Sequence, residues 1–238
     1  MKPLLCLALT LACTGGLGAM GFTEDPQEKL TKTWNLAKVR TLEIRGEVDF
    51  EVIPGAQARV TVETTRALFD QLTVSNWWGA ATVAIETGLR GPRERGVVKA
   101  VIELPTLGEL IVLGRSSGRV LWPDGLGASL KTGEESVVTL VFSGKMLTVD
   151  SSWLSHVILQ GTSEYLTTGL RHQARVDARE FSVGTMTVTL DEGSTLQAGT
   201  TGKGLGLARH QSRVVTVPGD NWEALILKEG SVRDIRTE

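Results

Sequence analysis

Short apolar cores recur about every ten residues from residue 106 onward, and this spacing constrains the fold more than any other feature. The cores are Leu110-Ile111-Val112, Arg119-Val120-Leu121, Ala128-Ser129-Leu130, Thr139-Leu140-Val141, Leu147-Thr148-Val149, Val157-Ile158-Leu159, Tyr165-Leu166-Thr167, Ala174-Arg175-Val176, Thr187-Val188-Thr189, Thr195-Leu196-Gln197 and Val214-Val215-Thr216. Turn formers separate them, as in Gly114-Arg115-Ser116-Ser117-Gly118, Asp191-Glu192-Gly193-Ser194 and Gly199-Thr200-Thr201-Gly202. Gly accounts for 27 of 238 residues, more than the usual share of roughly 7%, as a chain with this many turns requires. A strand of three or four residues cannot bury an apolar face alone, so stacking must supply the core. The stretch from Val157 to Gly169 aligns imperfectly with that from Val188 to Gly199, an offset of 30 to 31 residues. Three ten-residue units per turn predict a solenoid with three faces. An antiparallel sandwich also spaces strands at 8–12 residues and stays open as the alternative.

The preceding segment is also β. Leu42, Ile44, Val48, Phe50 and Val52 alternate with charged residues, a period of two. Pro54-Gly55-Ala56-Gln57 reads as a turn, and Val60 and Val62 as the return strand of a hairpin. Further strands are expected at 72–74, 82–86 and 97–103, the last stopped by Leu104-Pro105. No helical stripe longer than two turns follows Thr41. The expected fold is all-β: a right-handed parallel β-helix or solenoid-like stack over 106–238, preceded by an N-terminal β-hairpin region over 39–105.

Residues 1–21 read as a secretory signal. Lys2 precedes an apolar run over 4–13, too short to span a bilayer. Ala19-Met20-Gly21 places small residues before a cut at Phe22. Lipid anchoring at Cys13 is the competing processing route. Cys6 and Cys13 are the only cysteines, so a chain beginning at Phe22 has neither disulfide nor thiol chemistry. Residues 22–38 read as a polar leader with room for one helical turn near Glu28. No later apolar run reaches transmembrane length.

The formal net charge is −2, with 25 basic and 27 acidic residues. That balance gives no electrostatic reason for nucleic acid as a partner. Hydrophobic residues make up 41%, which excludes a disordered chain.

Several segments together resemble the GIN domain of auto-transporter adhesin heads, a family of exported bacterial proteins. They are 39–46, 48–55, Leu72-Thr73-Val74, the strand-then-Leu-Pro segment 100–110, and the repeats over 114–202. The turns are degenerate at Ser151-Ser152-Trp153, and 222–236 lacks the family's usual close. A related group of envelope β-solenoid adhesins is the alternative. The resemblance implies an all-β solenoid domain outside the cytoplasm, in the periplasm, at the outer membrane or on the cell surface. It carries over no catalytic residues and no cofactor.

The residues themselves give few chemical signals. His156, His172 and His210 match no zinc spacing. Ser151, Ser152 and Ser163 lack a nucleophile elbow. Gly202-Lys203-Gly204-Leu205-Gly206 lacks the ending of a phosphate loop and reads as a flexible turn. Asp150, Asp177 and Asp191 each follow a strand core, with Arg175, Arg179 and Lys203 as neighbours in an enzymatic reading. That reading requires the three acids on one face; otherwise they are turn formers. Trp77-Trp78 is the candidate binding pair, since adjacent residues in a strand point to opposite faces and exposed aromatics suit sugars or protein contacts. Trp122, Trp153 and Trp222 are expected in the core or its caps. The basic loop Arg90, Arg93, Arg95 reads as solvated. The expected protein is a non-enzymatic binding or structural module of the cell envelope, with a glycan or envelope protein as partner. An envelope-stress or signalling accessory, and less so a carbohydrate-active enzyme, are the alternatives.

Overall fold

Alternating apolar and polar residues give most segments one buried and one wet face, the pattern of a strand packed on a single core. The computed structural model describes residues 28–36, 38–77, 82–87, 98–123, 125–199, 201–218 and 220–236. It is 67% strand and 2% helix, wound into a β-solenoid of about seven turns.

The chain enters through β1 (Lys29–Asn35), β2 (Thr41–Arg45), β3 (Val48–Pro54) and β4 (Arg59–Thr65). A single helical turn, α1 (Arg66–Phe69), leads to β5 (Leu72–Trp77), β6 (Thr82–Thr87) and β7 (Val98–Leu104). Then come β8 (Glu109–Val112), β9 (Ser117–Leu121), β10 (Gly127–Thr132) and three long strands, β11 (Val137–Ser151), β12 (His156–Leu170) and β13 (Arg175–Leu190). The chain closes with β14 (Thr195–Gln197), β15 (Thr201–Ala208), β16 (Arg213–Thr216), β17 (Trp222–Leu227) and β18 (Val232–Ile235).

Parallel pairing builds two ladders with the core between them. One runs β6, β2, β8, β10, the second halves of β11, β12 and β13, then β15 and β17. The other runs β7, β3, β9, the first halves of the long strands, then β14, β16 and β18. Leu147 pairs with Leu166, Leu166 with Met186, and Met186 with Gly204. One turn therefore takes 18 to 20 residues and two strand segments. This corrects the expected three-faced repeat of 30 to 31 residues. That offset is about one and a half turns, so it superposes a segment of one ladder on a segment of the other. The ten-residue unit is half a turn.

Stacking order departs from chain order at the N-terminal end. The turn formed by β2 and β3 lies between the β6–β7 and β8–β9 turns. The expected hairpin of 48–54 with 59–65 does not form, because β7 pairs parallel with β3 and antiparallel with β4. The adjacent antiparallel pair is β5–β6. The end is closed by β4, β1 and β5, all antiparallel to their neighbours. The polar leader supplies β1 rather than a helical turn.

The core is a continuous column of inward residues. Leu110, Leu130, Val149, Val188, Val138, Val157 and Leu196 are among its fully buried members. Each contributes about 1.5–3 kcal/mol by leaving water. Gly204 and Gly206 lie in β15, not in a flexible turn. A Cβ on Gly204 would stand 2.6 Å from the Trp222 ring. The glycines there make room for Trp222, which packs half-buried against the last part of the core.

Candidate functional site

One corner of the solenoid is built from four-residue turns stacked one above another. They are Gly133-Glu134-Glu135-Ser136, Ser152-Trp153-Leu154-Ser155, Arg171-His172-Gln173-Ala174, Asp191-Glu192-Gly193-Ser194, Arg209-His210-Gln211-Ser212 and Lys228-Glu229-Gly230-Ser231. The two central residues of each have positive φ, between 49° and 77°. This is the backbone of a type I′ turn. It suits glycine, and a side-chain-bearing residue there costs roughly 1–2 kcal/mol. Ten such positions carry a side chain, among them Trp153 (φ 55°), Leu154 (φ 62°), His172 and His210.

Hydrogen bonds hold this backbone in place. Within a turn the fourth N–H donates to the first carbonyl, as Ser155 to Ser152 at 3.3 Å and Ser212 to Arg209 at 3.2 Å. Between turns, Glu135 N–H donates to the Trp153 carbonyl at 2.9 Å, Leu154 to His172 at 3.1 Å and Gln173 to Glu192 at 2.9 Å. The buried fourth-position serines add a third set. Ser155 Oγ donates to the Ser152 carbonyl at 2.7 Å, and Ser194 and Ser212 do the same at 2.6 Å. The ladder fixes the backbone, and the side chains of its two central columns are left to solvent.

Those side chains form a ridge. Trp153 and Leu154 are each 57% exposed. The Trp153 indole stacks on the His172 ring of the next turn, with centroids 4.0 Å apart and planes 5° from parallel. His172 Nε2 lies 2.9 Å from Glu192 Oε2. One turn on, His210 faces two carboxylates: Nδ1 bonds Asp191 and Nε2 lies 2.8 Å from Glu229. The hydrogen bond to Asp191 raises the His210 pKa above its ordinary 6.5, helped by the charge of Glu229. The same bond holds Asp191 below its ordinary 3.8 against the opposing effect of burial, with the Arg209 charge helping.

A raised histidine stabilises the fold fully below pH 6.5 and loses its contribution as pH rises through the folded value. A depressed aspartate stabilises above pH 3.8 and loses its contribution as pH falls through the folded value. The pair is therefore strongest between the two. His210→Asn is expected to flatten the fall in Tm above pH 6.5, measured by calorimetry from pH 4 to 8; an unchanged profile would show that the pair does not couple to folding.

Beside Trp153 the ridge opens into a cleft of about 510 Å³, lined by Gly114, Arg115, Glu134, Glu135, Trp153 and Leu154. Trp153 and Leu154 both line this cleft, whereas His172, stacked on the indole, does not. Arg115 spans Glu47 at 3.6 Å and Glu135 at 3.2 Å. Glu134 accepts the Gly114 N–H at 3.1 Å. The cleft thus combines an aromatic face, an aliphatic side chain, carboxylate acceptors and guanidinium donors.

The exposed position of Trp153 corrects the expectation of a core or cap residue. Its αL turn turns the side chain outward, whereas Trp122, 8% exposed, is in the core. Trp77 ends β5, but its side chain, and Trp78 altogether, lie outside the described residues. So do 1–21 with Cys6 and Cys13, and the loop of Arg90, Arg93 and Arg95.

The three aspartates do not converge. Asp150 is on the outer face of one ladder, paired in register with Lys131. Asp177 is on the other ladder, clamped by Arg179. Asp191 is in the corner ridge. The enzymatic arrangement built on all three is therefore absent. Around Asp177, a smaller cleft of about 240 Å³ gathers His156, Arg175, Arg179, Thr195 and Gln197. Burial pushes the Asp177 carboxyl up, but hydrogen bonds from Arg179 outweigh it and hold the pKa below 3.8. A lone, firmly ionised carboxylate is a poor general acid. Lys203 pairs with Glu223 at 3.0 Å instead of an aspartate. Ser151 is buried and bonded to Thr132 and Ser155. Among the described residues no three His, Cys, Asp or Glu side chains group as metal ligands, and no helix is long and apolar enough to cross a membrane.

A sequence signal for the ridge existed. A serine or alanine closes each turn every 18 to 20 residues, and His172-Gln173 recurs as His210-Gln211 two turns later. The ten-residue apolar spacing masked it.

Residues 39–216 match the family model described as putative auto-transporter adhesin, head GIN domain. The chain belongs to this family. Its last turn, β17 with β18, lies beyond the matched residues. A solved putative adhesin from Bacteroides fragilis has a TM-score of 0.74 at 12% identity, over 88% of this chain and 96% of that one. A putative adhesin from Parabacteroides distasonis gives 0.60 at 14% identity, over 87% and 97%. A putative lipid binding protein from Parabacteroides distasonis gives 0.59 at 11%, over 88% and 97%. At these identities the likeness is one of fold. No protein of curated function matches the sequence significantly. The GIN domain here is adhesin-like by family.

Leu154 offers a test of how the ridge is maintained. At φ 62° and 57% exposed, a leucine pays backbone strain without gaining burial. Leu154→Gly is expected to raise stability by about 1 kcal/mol, read by urea denaturation. A fall of that size instead would mean that the leucine packs within the fold.

Proposed function

We propose that this GIN domain is an exported, non-catalytic binding module of the bacterial cell envelope, and that its ligand docks in the corner cleft against Trp153. The supporting observation is a large aromatic and a leucine kept side by side, exposed, in a backbone conformation that favours glycine. Strain retained where local preference points elsewhere is a mark of functional positions. Aromatic side chains dominate binding surfaces because they add much contact area at little entropic cost. An envelope glycan is the partner favoured by the mixture of indole face, carboxylates and guanidinium; an envelope protein is the second. Export rests on the apolar run at 4–13 and the adhesin-like family. Trp77-Trp78 is a second docking position, tested alongside.

The test is an array of bacterial envelope glycans probed with the purified protein, Trp153→Ala and Trp77→Ala/Trp78→Ala. Trp153→Ala is expected to weaken retained ligands at least about tenfold, a loss of roughly 1.4 kcal/mol, with Tm nearly unchanged because the side chain is exposed. Wild-type retention by Trp153→Ala, with loss in the double variant, would move the site to the β5 end.

A further inference from the structure

We infer that the cleft at Trp153 takes an amino sugar, a pyranose ring bearing a free ammonium group. This inference rests on the reading of Trp153 as the docking face and adds the ligand class. The groups around the cleft set three requirements. The indole of Trp153, 57% exposed and lining the cleft while His172 stacks on it at 4.0 Å, calls for a flat surface of C–H groups. The charges call for a cation: the carboxylates of Glu134 and Glu135 both line the cleft, and Arg115 is the cationic side chain lining it with them. A cation placed against the indole also gains from the ring quadrupole. Finally, Arg115 carries donors in a rigid fork and calls for acceptor oxygens on the ligand.

An amino sugar meets all three with its C–H face, ammonium group and hydroxyls. A neutral sugar lacks the charge. A lysine or arginine side chain lacks acceptor oxygens for Arg115. Gly114 also lines the cleft; a Cβ there would collide with the Gly46 carbonyl oxygen at 2.5 Å, so the glycine is fixed by the close approach of the Gly46 backbone.

The experiment is calorimetric titration at pH 6 with four probes: a glucosamine hexamer, its fully N-acetylated form, a glucose hexamer and hexalysine. The glucosamine hexamer is expected to bind, with the acetylated and glucose hexamers roughly five- to tenfold weaker, as expected for losing one or two exposed charge contacts. Glu134→Gln and Glu135→Gln keep acceptor oxygens and are expected to weaken the glucosamine hexamer severalfold while leaving the acetylated one unchanged. Trp153→Ala weakens every sugar. Equal binding of charged and uncharged hexamers, lost in Trp153→Ala, would overturn the inference and leave the Trp153 site standing. Binding of hexalysine alone would replace the sugar with a basic peptide. Probes bound equally by wild type and Trp153→Ala would overturn both, and no binding by any probe would overturn the amino-sugar class.

Discussion

Gly161→Ala is expected to cost at least about 3 kcal/mol, a large part of the 5–15 kcal/mol that holds a typical domain together. Two independent effects act there. The backbone at Gly161 has φ 112°, a region essentially reserved for glycine. An added Cβ would also stand 2.1 Å from the Phe142 carbonyl oxygen of the preceding turn, a backbone atom pinned by the parallel ladder between β11 and β12. Neither strain relaxes by rotating a side chain. Urea denaturation of the variant beside wild type checks this, and a cost under 1 kcal/mol would mean that the close approach of the two turns is wrong.

Phe142→Ala is expected to cost about 3–5 kcal/mol. Phe142, Gly161 and Phe181 occupy one register column in successive turns, and both phenylalanines are 1% exposed. The column alternates large, absent and large side chains. Removing one ring leaves a cavity whose walls are strands held on both sides by backbone hydrogen bonds, so collapse is restricted. Phe142→Leu keeps most of the volume and should cost under about 1.5 kcal/mol. The pair of values, from the same denaturation series, separates lost packing from general damage. A Phe142→Ala cost no larger than that of Phe142→Leu would contradict the packing described.

The all-β class and the strands β8 to β14 and β16 were legible in the sequence because each short apolar core does become a strand or half of one; β15, β17 and β18 were not among those cores. The size of the turn was not. A solenoid with two similar ladders repeats its alternation every half turn, so apolar pattern alone aligns equally well at whole and half turns. The serines that close the corner at 136, 155, 194, 212 and 231 are specific to one corner and carry the true period of 18 to 20. Gly204 and Gly206 read as a turn because glycine usually marks one; here they mark the approach of Trp222. The insertion of β7 between β3 and β4 was hidden for another reason. Local alternation identifies a strand but says nothing of its neighbour, and a tight turn at 54–57 suggests a pairing that a distant segment takes over.

Of the site, the idea of an exposed aromatic was available and its position was not. Trp153 follows a strand core and precedes an apolar residue, as a core tryptophan does. What exposes it is the paired αL backbone at 153–154, set by the fold of the stacked corner rather than by residue preference. The acids were legible as turn formers, and two of the three sit apart on opposite ladders, which removes the joint catalytic arrangement.

The most direct test is a backbone NMR map of the protein titrated with the glycan it retains most strongly. Shifts confined to residues 114–115, 134–135, 153–154 and 172 are the predicted result. Shifts centred on 77–78, or spread along an outer ladder face with the corner unmoved, would contradict the assignment of the ligand to Trp153.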